Sequence, residues 1–178
     1  SEIEKLIEEI RRVVKEIKRE VERAIRENEK LLRESKRRND ELIKEIERVV
    51  EELKKRNVPE EDVRKVLADL EKKLEELHRE DRKLIKESEE LLKRLMEEAE
   101  KILEELKRRL DELIRRRGRD RLIEELEKVL RDVEKVARDV LRKLRRSIEE
   151  SRRRSEELNK TVKKVLEDVA RTATERSR

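Results

Sequence analysis

The sequence predicts an all-α protein, an antiparallel three-helix bundle whose long helices have about 55 residues each. Glycine and proline occur once each, at Gly118 and Pro59, and divide the chain into three stretches of similar length. Within each stretch Leu, Ile and Val recur every three or four residues, which is the spacing of one helix face. Charged residues make up 58% of the chain, and charge with a sustained helical period is typical of long helices rather than of disorder.

Helix 1 is predicted over about residues 2–56. Its apolar face advances from Ile3 to Leu53 in fourteen steps, about 3.57 residues per step, between the coiled-coil value of about 3.5 and the straight-helix value of about 3.6. About three positions in every seven face inward, which is the width of the apolar face of a helix that packs against two neighbours. We expect Asn57 to adopt the left-handed conformation that ends such a helix. The inward positions are Ile3, Ile7, Ile10, Val14, Ile17, Val21, Ile25, Asn28, Leu32, Ser35, Asn39, Leu42, Ile46, Val49 and Leu53.

Helix 2 is predicted over about residues 60–117. Pro59 suits the start of a helix, and the acidic run 60–62 lies where the positive end of the helix dipole favours carboxylates. The arginines at 115–117 lie at the opposite, negative end. The negative end of the helix dipole favours basic residues, so it accounts for the arginine-rich connection "RRRGRDR" without an anionic ligand.

Helix 3 is predicted over about residues 120–175. Gly118 is the residue type most common just after a helix end, and Asp120 can cap the helix that follows. The two connections are so short that neighbouring helices must be antiparallel. We therefore expect residues 1–178 to form a single helical bundle domain, of either handedness.

Polar residues interrupt the apolar face of each helix near its middle, most clearly in "SIEESRRRSEELNKT" (147–161). Antiparallel pairing through the two short connections brings these residues to three common levels. Ser151 lies between the last two levels. The levels are Asn39 with His78 and Asn159; Ser35 with Asp81 and Ser155; and Asn28 with Ser88 and Ser147.

We interpret these ten residues as a buried hydrogen-bond network. Their side chains supply both donors and acceptors, and a buried polar group without a partner costs about 1–3 kcal/mol. Such groups must therefore satisfy one another. The benefit is specificity, because only one register and topology pairs them all.

The whole chain resembles de novo designed helical bundles with built-in hydrogen-bond networks. The resemblance rests on the near-equal helices, the short connections, the matched polar levels, the lack of Phe, Trp and Tyr, and surfaces such as "EELKKRN" and "LEELKRRLDELIRRRG". Related designs include single-chain bundles, heterodimers of helical hairpins, and switches in which a bundle receives another helix. The resemblance implies no enzymatic activity and no natural partner.

The sequence offers little support for catalysis or for a metal or other cofactor. Ser35, His78, Asp81 and Ser155 invite comparison with a catalytic triad, but packed helices provide neither an oxyanion hole nor a substrate pocket. Glu75 and His78 have the spacing of a di-iron motif, which requires a second copy and two further inward glutamates. We expect no enzyme and no cofactor.

Other binding functions are also disfavoured. The 54 basic and 49 acidic residues are interleaved, whereas nucleic-acid binding favours a segregated basic surface and aromatic side chains. "RRRS" (152–155) resembles a kinase site, but Ser155 is predicted to face inward. No apolar run approaches the roughly 18 residues of a membrane span, and the first residues lack signal-peptide features.

Two functions remain open from the sequence. The first is a self-contained structural scaffold that requires no partner. The second is an interaction module that docks another helix or another copy along its seam. We expect no native localisation, and a soluble cytoplasmic protein on recombinant expression.

Overall fold

The computed structural model describes residues 1–56 and 58–176 and shows a bundle of three long helices. They are α1 (Glu2–Lys55), α2 (Glu60–Arg117) and α3 (Arg121–Arg176). Each predicted helix is confirmed, and its bounds agree within one residue. The fold class is therefore the predicted all-α three-helix bundle.

The helix ends follow from local chemistry. Gly118 has a φ of 71°, and its N–H donates to the carbonyl of Ile114 at 2.8 Å, which closes α2. Asp120 caps α3, because its Oδ1 accepts the N–H of Ile123 at 2.9 Å. The α2 helix begins after Pro59, whose carbonyl accepts the N–H of Asp62 at 3.0 Å. The predicted left-handed end at Asn57 lies outside the described residues.

Ser1 caps α1, a feature that the sequence analysis did not predict. Its hydroxyl oxygen accepts the backbone N–H of Glu4 at 3.3 Å, and its carbonyl accepts the N–H of Lys5. Serine followed three residues later by glutamate is a known signature of a helix start. This signal was therefore present in the sequence.

Contacts group the chain into two compact units of similar length, and each helix contributes one segment to each unit. The first unit comprises Ser1–Glu27 and Glu87–Ile148; the second comprises Asn28–Lys86 and the chain from Glu149 onward. The single domain expected over residues 1–178 stays a prediction.

The first unit has an apolar core. Ten buried side chains form one cluster, drawn from all three helices. Ile3, Ile123 and Leu126 are fully inaccessible to solvent. Burying a side chain of this size contributes about 1.5–3 kcal/mol relative to its exposure, so this cluster is a main source of stability for the unit.

The second unit has a smaller apolar cluster, made of Leu42, Ile46, Leu70, Leu74, Val162 and Leu166. On the surface, the Nζ of Lys73 lies 2.6 Å from Glu45 across α1 and α2, and Arg38 pairs with Glu80 across the same helices. Because the residue number rises on one helix as it falls on the other, these pairs show that α1 and α2 are antiparallel.

The apolar face predicted for helix 1 is confirmed. Every one of its positions from Ile3 to Leu53 is buried or half-buried. The described residues include no exposed large hydrophobic side chain. Within the same residues, no helix has an apolar stretch long enough to cross a membrane.

Candidate functional site: a buried polar cluster

The six buried polar residues of the described chain all lie in the second unit. Each is at most 7% exposed, so each has lost most of its contact with bulk water. Such groups must find hydrogen-bond partners within the protein or in ordered water. They are Asn28, Ser35 and Asn39 on α1, Asp81 on α2, and Ser151 and Ser155 on α3.

Asp81 lies at the centre of this buried polar cluster. Its Oδ2 accepts the hydroxyl of Ser35 at 2.7 Å and the hydroxyl of Ser155 at 3.2 Å. One carboxylate oxygen therefore joins all three helices at a single level. Hydrogen bonds to an ionised acceptor are stronger than those between neutral groups, which makes this the most specific contact of the cluster.

A second contact joins α1 directly to α3. The Nδ2 of Asn28 donates to the Oγ of Ser151 at 2.8 Å. Ser151 lies one helical turn before Ser155, so the two contacts occupy adjacent turns of α3. Together they bring Asn28, Ser35, Asp81, Ser151 and Ser155 into one region of the second unit.

The predicted level of Asn39, His78 and Asn159 is not joined by hydrogen bonds in the described structure. Asn39 is 3% exposed, but its Nδ2 donates to the backbone carbonyl of Ser35 at 2.8 Å, within its own helix. That amide also lies 3.5 Å from the Oγ of Ser35. Asn159 is half-buried. The predicted hydrogen bonds of Asn39 with His78 and Asn159 are not formed, and the side-chain amide of Asn39 donates instead to the carbonyl one turn earlier on α1.

His78 is half-buried, and its Nδ1 is buried without a hydrogen-bond partner. Burial lowers the pKa of His78 below its ordinary value, and the nearby positive charge of Arg82 lowers it further. The carboxylate of Asp81 acts in the opposite direction with a smaller effect. The surroundings therefore favour the neutral imidazole.

Ser88 and Ser147 lie in the first unit and are half-buried. Each has an interaction partner. Of the ten polar residues predicted to face inward, six are therefore buried and four are half-buried: His78, Ser88, Ser147 and Asn159.

The chemistry of the cluster is that of hydrogen bonding. The hydroxyls of Ser35 and Ser155 both donate to the carboxylate of Asp81. Among the described residues, no group of three or more His, Asp or Glu side chains is placed to hold a metal ion. The cluster can fix the positions of helices relative to one another within its unit.

Sequence reasoning missed the bond between Asn39 and the Ser35 carbonyl. The available signal was the spacing of four residues, at which an asparagine side chain competes for backbone groups of its own helix. It also missed a small cavity beside Asp81, because the volume left between side chains depends on packing rather than on residue pattern.

Comparisons with known proteins place this geometry in context. No protein-family model and no curated relative matches the chain. A computationally designed three-helix bundle of known structure is 35% identical in sequence; the match covers 97% of this chain and 78% of that one, with a TM-score of 0.40. That score marks a loose superposition, so no contact or role is transferred from that protein. By its own three packed helices, the chain belongs to the three-helix bundles.

Proposed function

We propose that the chain is a designed structural scaffold, in which the buried polar cluster sets the register and the pairing of the helices. The observation that supports this most directly is the carboxylate of Asp81, which accepts hydroxyls from the two other helices. A slip of either neighbouring helix by one residue would remove a donor from a buried charge. Such a register is strongly disfavoured, because an unpaired buried charge is costly.

The composition supports the designed origin. The chain has near-equal helices joined by two short connections, and it contains no aromatic residue and no cysteine. The first two helices have acidic residues in their first turn and basic residues in their last turn, and Asp120 caps α3, as helix physics favours. A scaffold of this kind needs no cofactor and catalyses no reaction, and we expect it to accumulate in soluble form in the cytoplasm of an expression host.

The alternative is an interaction module that docks a further helix or a second copy. The observation in its favour is that helix 3 has only Ile148 and Leu158 as apolar residues between Leu144 and Val162. Against it, the described residues show no exposed large hydrophobic side chain that a partner would cover. We therefore favour the scaffold that requires no partner.

The test replaces the polar residues of helix 3 by apolar ones: Ser147, Ser151, Ser155 and Asn159 become Leu, Ile or Ala. We expect the variant to fold but to be less stable than the parent by about 1–3 kcal/mol, because Asn28 and Asp81 stay buried and lose their partners on α3. It should no longer adopt a single helix register and a single oligomeric state, since a continuous apolar seam pairs almost equally well with several registers and neighbours. Size-exclusion chromatography with light scattering should show a monomeric parent and a mixture of species for the variant.

A matched control changes four exposed residues of the same helix to alanine: Arg153, Glu156, Glu157 and Lys160. This control removes two positive and two negative charges, so the net charge is unchanged, and it should remain monomeric. If the polar-to-apolar variant gives a single monomeric species, as the parent does, the cluster does not set the pairing of the helices. A parent that is itself a dimer or a mixture would favour the interaction module instead.

A further inference from the structure

A small cavity, partly open to solvent, adjoins the buried polar cluster in the second unit. The space open to a water molecule within it measures about 20 Å³. A polar cavity needs about 10–15 Å³ of such space to hold one water molecule. The walls combine four apolar side chains with five polar ones, and the polar ones are Asn28, Ser35, Asp81, Ser151 and Ser155.

The polar wall has more hydrogen-bond acceptors than the cluster itself uses. Asp81 takes both serine hydroxyls on Oδ2, and a carboxylate can accept about four hydrogen bonds over its two oxygens. Among the described residues, no side chain donates to its Oδ1. The hydroxyl of Ser155 gives its one proton to Asp81 and keeps lone pairs that can accept.

We propose that this cavity binds one ordered water molecule, which donates hydrogen bonds to the acceptors around Asp81. Water suits the site because it is small enough for the space and carries two donors. Buried waters in proteins typically make about three hydrogen bonds to polar groups that would otherwise lack partners. The water completes the solvation of a buried carboxylate that only two side-chain hydroxyls reach.

The first unit supplies an internal comparison. A cavity there offers only about 10 Å³ to a water molecule, and its lining is apolar apart from Lys18. The lining includes Ile10, Val136 and Val140. Cavities lined by such side chains stay dry even when they are larger. The proposal therefore distinguishes a hydrated cavity in the second unit from a dry one in the first.

The experiment counts long-lived internal waters by the frequency dependence of the ¹⁷O relaxation of water. The parent is compared with Ser155→Val, which replaces a hydroxyl by methyl groups that fill the cavity. We expect the variant to lose the signal of about one water relative to the parent. The control is Val136→Ile, which adds a methyl group beside the apolar cavity and should leave the signal unchanged.

A second measurement keeps the proposal testable if Ser155→Val does not fold. In ¹⁵N-labelled parent protein, cross-peaks between water and backbone amides should appear near Ser35, Asp81 and Ser155, and should be missing near Val136. Lack of these cross-peaks near Asp81, or equal relaxation signals in the parent and Ser155→Val, would overturn the proposal. If the chemical shifts of these amides change when choline chloride replaces sodium chloride, a cation occupies the cavity instead of water.

Hydration of this cavity does not depend on the oligomeric state of the chain. The scaffold proposal fails if the polar-to-apolar variant stays uniform, whereas the hydration proposal fails on the water signals of the parent. The two results can therefore be told apart.

Discussion

The two units of this chain are similar in length, and they are stabilised in different ways. Of the 24 buried apolar residues that the structure describes, 18 lie in the first unit and six in the second. All six buried polar residues lie in the second unit. Because the same three helices contribute to both, the contrast comes from the side chains rather than from the backbone fold.

The contrast shows what each kind of core provides. Apolar burial is strong but non-directional, so it stabilises many registers almost equally. Hydrogen bonds contribute less to net stability, but they penalise every arrangement that leaves a buried group unpaired. We infer that the first unit provides most of the stability and the second unit provides most of the specificity.

The largest expected effect is a truncation in the apolar core of the first unit. Leu126 has no exposure to solvent, and Leu126→Ala should lower the free energy of unfolding by about 2–5 kcal/mol, because it removes buried methyl groups and leaves a cavity. Chemical denaturation followed by circular dichroism measures the change. The control is Glu125→Ala, an exposed neighbour, which should change stability by at most about 0.5 kcal/mol.

A small loss for Leu126→Ala would contradict the comparison. It would mean that the core of the first unit can collapse around the missing side chain, or that apolar burial there contributes less than its extent suggests. The first unit would then not provide most of the stability.

An intermediate effect is expected at the centre of the polar cluster. Asp81→Leu removes the shared acceptor of Ser35 and Ser155 and should cost about 1–3 kcal/mol, because two buried hydroxyls lose their partner. The matched change Asn39→Leu also places leucine at a buried polar position, but it removes only a bond within α1. It should leave stability unchanged or raise it, since the Ser35 carbonyl keeps its helical partner.

The triple variant Ser35→Ala, Asp81→Leu, Ser155→Ala separates the cost of unpaired groups from that of altered packing. Removing all three polar groups together should recover most of the loss caused by Asp81→Leu alone. If Asp81→Leu and Asn39→Leu change the free energy of unfolding equally, the hydrogen bonds between helices contribute no more to stability than the hydrogen bond within α1.

The fold followed closely from the sequence, and the polar cluster followed only in part. Helix bounds depend on local chemistry, such as the cap at Asp120 and the positive φ of Gly118, and the residue types reveal it. The level of Ser35, Asp81 and Ser155 could be deduced because two short connections fix the register of antiparallel helices. Register alone does not determine hydrogen bonds, however. Asn39 donates to its own helix, because the choice depends on rotamers and on distances of a few tenths of an ångström.

The smallest expected effect concerns His78, whose neutral form is favoured by burial. Its pKa is lowered first by burial and then by the charge of Arg82; Asp81 opposes this change, and Lys163 and Glu156 have smaller, opposite effects. The folded chain therefore takes up this proton at a lower pH than the unfolded chain. The contribution to stability is complete above the ordinary pKa of about 6.5 and declines as the pH falls through it, because the unfolded state then binds more protons.

His78→Gln removes this proton linkage and keeps a polar side chain. Between pH 8 and pH 5 the parent should lose slightly more stability than His78→Gln. Both proteins have the same carboxylates, so the contribution of these groups to the pH dependence cancels in the difference between the two unfolding free energies. An NMR titration of the His78 ring in the parent should have its midpoint below about 6.5. A midpoint above that value would show that Asp81 and Glu156 outweigh burial and the positive charges of Arg82 and Lys163, and protonation would then stabilise the second unit instead of weakening it.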